Sequence, residues 1–366
     1  MNLFTKNLPL LVLHPTHRCN ARCLHCYNWE RVDNSERENE LSLEEIKLIS
    51  RKLPNIEMLL VSGGEPSLRE DLNLIVKEFY LKNRLRILAL TTNGVDSQGI
   101  IRLAEEIMKT CPGLLVYMLV SLDDLGGRHD RIRNLNGCFE KAAETITGLK
   151  RISSSNPRLK VSILTTYSKY NEANIWDIHK FVASELGLYH QINLIKANPR
   201  MPEAKEVDLA KFCVISEKIE DSNFQLLMGN KLTYINILSF SLDYYTRKFI
   251  INAITDKTTF NFCKAGTKIL TVISNGRVYP CEFSRESFGN LRDVDYDMGK
   301  LLASASSQSL IAKIKNKQCL CTAECYVRRS LILDFKMRAR IHMKTLFLFN
   351  QLLAKKILNK LLHYHV

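Results

Sequence analysis

His17-Arg-Cys-Asn-Ala-Arg-Cys-Leu-His-Cys26 carries three cysteines, Cys19, Cys23 and Cys26, spaced by three and then two residues. Three thiolates on one short loop suit three corners of a cubane iron–sulfur cluster. The fourth iron is then left open to bind and reduce a small molecule, which a fully ligated electron-transfer cluster cannot do. A tetrahedral structural zinc site asks for a fourth ligand close by, at finger-like spacing. His25 lies inside the triad and is poorly placed to serve. The apolar Leu8–Leu13 leads straight into the loop and reads as a first strand rather than a signal peptide.

Downstream, short apolar runs alternate with helix-length amphipathic stretches. The runs are Leu10–Leu13, Ile56–Val61, Leu85–Leu90, Leu114–Val120, Leu159–Leu164 and Gln191–Ile195. Between them lie Ser42–Leu53, Asp71–Lys82, Gln98–Lys109, Phe139–Ile152 and Ala173–Leu186, the first opened by a Ser42/Glu45 capping box. Continuous apolar runs separated by helices describe parallel strands joined by right-handed crossovers. The fold class is therefore α/β, a partial (β/α)6 barrel resembling a TIM barrel. In such folds the chemistry gathers at the C-terminal ends of the strands.

Each polar motif of this half falls there. After the second strand comes Ser62-Gly-Gly-Glu-Pro66, where Gly63 and Gly64 permit close backbone approach to a ligand and Glu65 offers an acceptor for an ammonium; a plain β-turn before a helix fits equally. Thr91-Thr-Asn-Gly94 follows the third strand and Ser121-Leu-Asp-Asp124 the fourth. Small hydroxyls and carboxylates at this level suit ribose hydroxyls, although Asp123 or Asp124 also serves to cap the next turn. Next come His129-Asp-Arg-Ile-Arg133 and Gly137-Cys-Phe-Glu140, with Arg131 or Arg133 able to meet a carboxylate or simply to face water. Lys196–Pro202 follows the sixth strand at an edge suited to substrate.

Taken together, CxxxCxxC at the end of a first strand, GGE, TNG, SLD and HDxxR resemble the motif set of radical S-adenosylmethionine (SAM) enzymes. The resemblance implies that the open iron of a [4Fe–4S] cluster chelates the methionyl amine and carboxylate of SAM. It also implies that Gly63, Gly64, Glu65, Asn93, Ser121 and Asp123 line the SAM site.

A second set of cysteines lies near the C-terminal end: Cys263, Cys281, Cys319, Cys321 and Cys325. Leu270–Ile273, the tight turn at Asn275-Gly276 and Val278–Tyr279 read as a β-hairpin that draws Cys263 and Cys281 together. Cys319-Leu-Cys-Thr-Ala-Glu-Cys325 supplies further thiolates, giving a second cluster site; zinc suits four thiolates equally. The hairpin resembles the opening of the SPASM and twitch auxiliary-cluster domains of radical SAM enzymes. The chain departs from a full SPASM pattern, having CxCxxxC and no cysteine after Cys325. The resemblance then favours one auxiliary [4Fe–4S] cluster, held by Cys263, Cys281 and two of Cys319, Cys321 and Cys325.

Composition bounds the rest. The 366 residues, 46% of them apolar, suffice for a large core, and no run reaches transmembrane length. Eleven cysteines without an export signal point to metal ligation in a reducing, cytoplasmic compartment; Cys111, Cys138 and Cys213 read as small buried hydrophobes. Of the net charge of +14, more than half sits after Tyr326, where nine Lys/Arg face one acid, Asp334. That weighs against a nucleic-acid-binding body. The tail, with Leu346, Phe349, Leu353, Ile357 and Leu361 at helical spacing, reads as a packed helix, as a peripheral contact with an anionic membrane or acidic partner, or as an RNA contact.

The expected organisation is a radical SAM core over 1–200, a bridging helical segment over 201–255, the auxiliary-cluster domain over 256–330 and a basic helix over 331–366. By resemblance the chain cleaves SAM to a 5′-deoxyadenosyl radical that takes hydrogen from a peptide or carbohydrate-like metabolite, in oxidation, crosslinking or epimerisation. A flavodoxin or ferredoxin is the expected reductant. Only eighteen residues precede Cys19, which lowers the expectation of leader-peptide binding or a cobalamin domain there. The alternatives are an RNA-modifying radical SAM enzyme and a non-catalytic iron–sulfur or zinc scaffold.

Overall fold

A computed structural model describes residues 7–230, 233–257, 262–316 and 320–363, with side chains through 354 except those at 38, 229 and 230. Nine strands form one sheet: β1 Asn7–Leu13, β2 Asn55–Val61, β3 Ile87–Thr92, β4 Leu115–Ser121, β5 Leu159–Tyr167, β6 Tyr189–Leu194, β7 Ile269–Val272, β8 Arg277–Tyr279 and β9 Gly289–Asn290. The helices of the first half are α1 Trp29–Asp33, α2 Leu43–Lys52, α3 Leu72–Asn83, α4 Ser97–Thr110, α5 Gly127–Arg133, α6 Cys138–Ser155 and α7 Ile175–Lys180. Those of the second half are α8 Leu209–Asn230, α9 Tyr234–Thr255, α10 Met298–Ala303, α11 Ala305–Asn316, α12 Glu324–Leu333 and α13 Phe335–His363.

The sheet order is β6-β5-β4-β3-β2-β1-β7-β8-β9, and β1 to β6 are all parallel. Each of the six strands pairs with its sequence neighbour, the winding of a β/α barrel left open between β6 and β1. The six expected strands and the five expected crossover helices all form. Their apolar runs are continuous because both faces of the sheet are covered. Leu11, Leu13, Leu59 and Val61 point into the main core beneath the helices. Leu10, Val12, Met58 and Leu60 point the other way, into a second apolar cluster with Ala265, Ile269, Ala323 and Tyr326.

Local chemistry starts the helices where the sequence placed them. Ser42 Oγ accepts from Glu45 N–H (3.2 Å) while Glu45 accepts from Ser42 N–H (2.8 Å), closing the capping box of α2. Asp96 caps α4 through Gly99 N–H (3.0 Å). Such caps contribute ~1 kcal/mol each.

One feature departs from the sequence reading. The 270–279 hairpin does not stand apart, since β7 pairs parallel with β1, in register Leu10 with Ile269 through Leu13 with Val272. The auxiliary-cluster segment thereby extends the core sheet. Within the 201–255 segment, expected to be a helical bridge, α8 runs from Leu209 to Asn230 and α9 is a 22-residue helix capped by Thr233. Helix α9 packs against α8, α12 and α13, and that contact supplies the order its local pattern lacks.

Candidate active site

The cysteine loop leaves the end of β1 and is held from three sides by backbone hydrogen bonds. Gly64 N–H donates to Thr16 O (3.0 Å) and Glu65 N–H to Arg18 O (2.8 Å). Arg22 and Leu24 donate to Arg133 O and Ile132 O (3.3 and 2.9 Å) at the end of α5. Arg200 and Met201, beyond β6, donate to Cys26 O and Leu24 O (3.0 and 2.9 Å). Arg200 also clamps Asp33 through both guanidinium nitrogens (2.7 and 2.8 Å). The Lys196–Pro202 segment, read as a substrate edge, is thus also a strap over the loop.

Gly63 and Gly64 act on this loop. A Cβ at Gly64 would stand 2.2 Å from Arg18 O and 2.5 Å from His17 O, and one at Gly63 would stand 2.5 Å from Thr16 O. Only glycine lets the turn after β2 press against the backbone that carries the triad. Glu65, 1% exposed, accepts from Thr92 Oγ1 (2.7 Å), Ser67 N–H (3.1 Å) and Asn93 N–H (2.7 Å). Burial raises its pKa against those bonds. Asn93 Nδ2 in turn donates to Asn20 Oδ1 (2.7 Å), between Cys19 and Cys23. The second and third strand ends are therefore wired to the loop through Glu65 and Asn93.

Asp123, fully buried, likewise faces protein. Its Oδ2 lies 2.7 Å from Arg133 Nη2 and 3.5 Å from His25 Nε2, and its Oδ1 accepts from Thr166 N–H (2.9 Å). Burial pushes this carboxyl up, but Arg133, His25 and His129 outweigh it and hold the pKa below the ordinary value. Arg133 Nη1 reaches Cys23 Sγ at 3.6 Å, so one buried guanidinium joins a triad sulfur to a carboxylate. The rest of that motif is structural: His129 Nδ1 accepts from Asp123 N–H (3.0 Å), and Asp130 caps α6 through Gly137 and Phe139 N–H (2.7 and 2.9 Å). Ser121 closes β4 and is nearly buried. Of the two arginines named as able to meet a carboxylate, Arg133 does so at Asp123, whereas Arg200 stood in the sequence only as part of the Lys196–Pro202 loop.

The donor set fits an iron–sulfur cluster. Cys19, Cys23 and Cys26 are free thiols near enough to raise one another's pKa. Burial pushes Cys19 up to about 11 and Cys26 up to about 12, and raises Cys23 against the pull of Arg133. Neutral, buried, clustered sulfurs become thiolates when a metal displaces their protons. His25 Nδ1, between two triad cysteines, is buried with no hydrogen-bond partner.

Across the sheet's inner face, Cys263, Cys281, Cys321 and Cys325 pack around the second apolar cluster. Cys319 lies outside the described residues. Burial raises Cys325 first, and Glu282 adds to it. Tyr27, beside Cys26, packs at a tilt against Phe283, two residues past Cys281, with ring centroids 5.2 Å apart. Glu282 binds His14 (3.1 Å), which meets His17 (3.4 Å), which meets Ser274 (2.9 Å). Lys196 pairs with Glu324 in the interior beside Cys325. Tyr27 lies within electrostatic reach of Cys26, Glu282 and Cys325, and Lys196 of Glu282 and Cys325, so residues of the two cysteine sets lie near one another.

The radical SAM superfamily model matches residues 13–182, and the SPASM iron–sulfur cluster-binding domain model matches residues 263–326. The chain is a radical SAM enzyme with a SPASM domain. Members need a SAM-binding [4Fe–4S] cluster, and the SPASM domain binds auxiliary iron–sulfur. Among curated proteins, the chain is 26% identical over 336 residues to the Fe-coproporphyrin III synthase of Methanosarcina barkeri, covering 86% of this chain and 78% of that protein. It is 28% identical over 298 residues to the AdoMet-dependent heme synthase of the same organism, covering 78% and 80%. Among solved structures, native anSMEcpe with bound AdoMet and Cp18Cys peptide superposes with a TM-score of 0.58 at 17% identity, over 94% of this chain and 99% of that one. Streptococcus suis SuiB gives a TM-score of 0.58 at 16% identity, over 90% and 75%. At these identities the structural likeness establishes the radical SAM fold, a partial TIM barrel with a C-terminal SPASM region.

Proposed function

We propose that this radical SAM enzyme abstracts hydrogen from a peptide or carbohydrate-like metabolite held between its two cysteine sets. The observation that carries the reading is the Tyr27–Phe283 contact, which joins the loop of Cys26 to the segment of Cys281 and supports a site shared by both sets. When bound, the first cluster and SAM supply reductive cleavage of SAM and hydrogen-atom transfer to its 5′-deoxyadenosyl group. Cys19, Cys23 and Cys26 would hold that cluster, with Arg133 oriented on Cys23 by Asp123. Cys263, Cys281, Cys321 and Cys325 would hold one auxiliary [4Fe–4S] cluster, with Cys319 as the spare or replacement thiolate.

Lys196 and Glu282 supply opposite charges at that site, Lys196 held by Glu324 and Glu282 by His14. A fixed cation and a fixed carboxylate, separately braced, suit a substrate bearing both a carboxylate and exchangeable donors, as peptides do. The Tyr27 and Phe283 rings exclude water from the space beside them. Electrons come from a flavodoxin- or ferredoxin-like reductant, and the C-terminal helix is the proposed surface contact. The similarity to the two Methanosarcina synthases, extending over most of the chain, favours a second reading in which the substrate is a tetrapyrrole.

The test is 5′-deoxyadenosine release by reconstituted enzyme challenged in turn with peptides, aminosugars and iron-coproporphyrin, each deuterated at candidate carbons. A peptide or sugar that stimulates release and delivers deuterium to 5′-deoxyadenosine supports the proposal. Transfer from the porphyrin alone would move the assignment to tetrapyrrole chemistry.

A further inference from the structure

Helix α13 is apolar on two opposite sides. Met337, Ile341 and Thr345 are buried against the protein, with Tyr234 bonded to His342. At ~100° per residue these three positions centre on one side of the helix. Phe335, Met343, Leu346, Phe347 and Leu353 fall in an arc of ~120° on the other side. They are 74%, 62%, 51%, 61% and 40% exposed. A packed helix needs one apolar stripe, and the second is exposed with no partner among the described residues.

Charge identifies its occupant. Residues 335–354 hold four Lys/Arg and no acid. Lys336 and Arg340 lie along one margin of the exposed stripe and Arg338 along the other, all three exposed. Lys344 lies further round, over the Tyr244 ring (3.8 Å). The nearest acid, Asp334, is spent on capping Met337 N–H (2.9 Å). An apolar stripe bordered by cations is the pattern of a helix lying in the plane of an anionic lipid surface. A second copy of this face would set like charges against each other. Among the described residues no helix is long and apolar enough to cross a membrane, so the contact lies on the surface.

We propose that α13 docks the enzyme on anionic membrane surfaces by inserting Phe335, Met343, Leu346, Phe347 and Leu353 between headgroups, with Lys336, Arg338 and Arg340 on lipid phosphates. This rests on the helix alone and is independent of the substrate assigned above.

The test is sedimentation of the full chain with vesicles of equal parts phosphatidylglycerol and phosphatidylcholine, against vesicles of phosphatidylcholine alone. Binding is expected to the anionic vesicles only, and to weaken as salt rises from about 0.1 to about 0.5 M. Replacing Lys336, Arg338 and Arg340 together by Gln lowers affinity about a hundredfold, at about fivefold each. Leu346→Glu with Phe347→Glu lowers it about tenfold or more. Both variants change exposed side chains, and each is checked for parental helicity and melting. Equal sedimentation with both vesicle types overturns the proposal, as does absence of binding to either. It is also overturned if the Glu variant binds like the parent, if the same substitutions instead dissolve a dimer, or if polyglutamate captures the chain while lipid does not.

Discussion

Arg133 sits where three demands meet. It must balance Asp123, lie against Cys23 and do both without water. Removing one partner of such a pair leaves a buried charge exposed to nothing that can answer it. Arg133→Met is expected to cost ~3–5 kcal/mol in denaturant unfolding. Adding Asp123→Leu should restore most of that loss, because the pair rather than either charge sets the cost. If the double variant is less stable than the single, the pairing account fails. Gly64 makes a steric demand instead. The Cβ of Gly64→Ala would meet backbone oxygens that cannot swing aside. Displacing Arg18 moves the triad while leaving the thiols of the second set in place, so the variant should retain about half the iron of the parent. Iron and sulfide counts on the reconstituted variant check this.

At the scale of elements, α2 is fastened to the C-terminal segment by Glu45. That carboxylate completes the cap of its own helix and meets Arg292 Nε (2.6 Å) and Tyr296 Oη (2.9 Å). Hydrogen bonds from Arg292 lead the effects that hold Glu45 down to about 2, against 4.5 unperturbed. A folded pKa below the unfolded one means that the tie contributes fully above pH 4.5 and is lost as pH falls toward about 2. Arg292→Gln should therefore lower the melting temperature at pH 7 and narrow its difference from the parent progressively below pH 4.5. A difference that stays constant with pH would contradict this. The elements also show what sequence reveals and what it withholds. The capping box, the six apolar runs and the Asn275-Gly276 turn are local signals, and each forms where its residues stand. Pairing of β7 with β1 joins residues some 260 positions apart, and nothing local in Leu10–Leu13 records it. The bounds of helix α9 within the bridging segment were not local for a related reason: its Tyr, Phe and Ile positions are ordered by α8, α12 and α13 rather than by a single apolar stripe. Within the site, cysteine spacing announced the metal chemistry, but the protein partners of Glu65 and Asp123, Asn93 N–H and Arg133, are set by folding and not by local spacing.

For the whole molecule, the continuous sheet is the consequential fact. Strands β7 to β9 add to the edge of β1, and Arg329 of α12 donates to Pro9 O (2.7 Å) and pairs with Glu57 (2.6 Å). The SPASM segment therefore covers the inner face of the strands that end at the triad. Core and cluster domain should unfold in one calorimetric transition, with calorimetric and van't Hoff enthalpies equal; two resolved transitions would show that the shared sheet does not couple them. The same sheet fixes the two cysteine sets relative to each other, in keeping with the proposal that they serve one site. The most direct measurement is made anaerobically on the reconstituted full chain: count iron and sulfide, reduce with dithionite, add SAM and quantify 5′-deoxyadenosine. The account predicts about eight irons, from two four-iron clusters, with 5′-deoxyadenosine formed by the parent and abolished when Cys19, Cys23 and Cys26 are all replaced by Ala. Product formed equally by that triple variant, or zinc in place of iron, would contradict it.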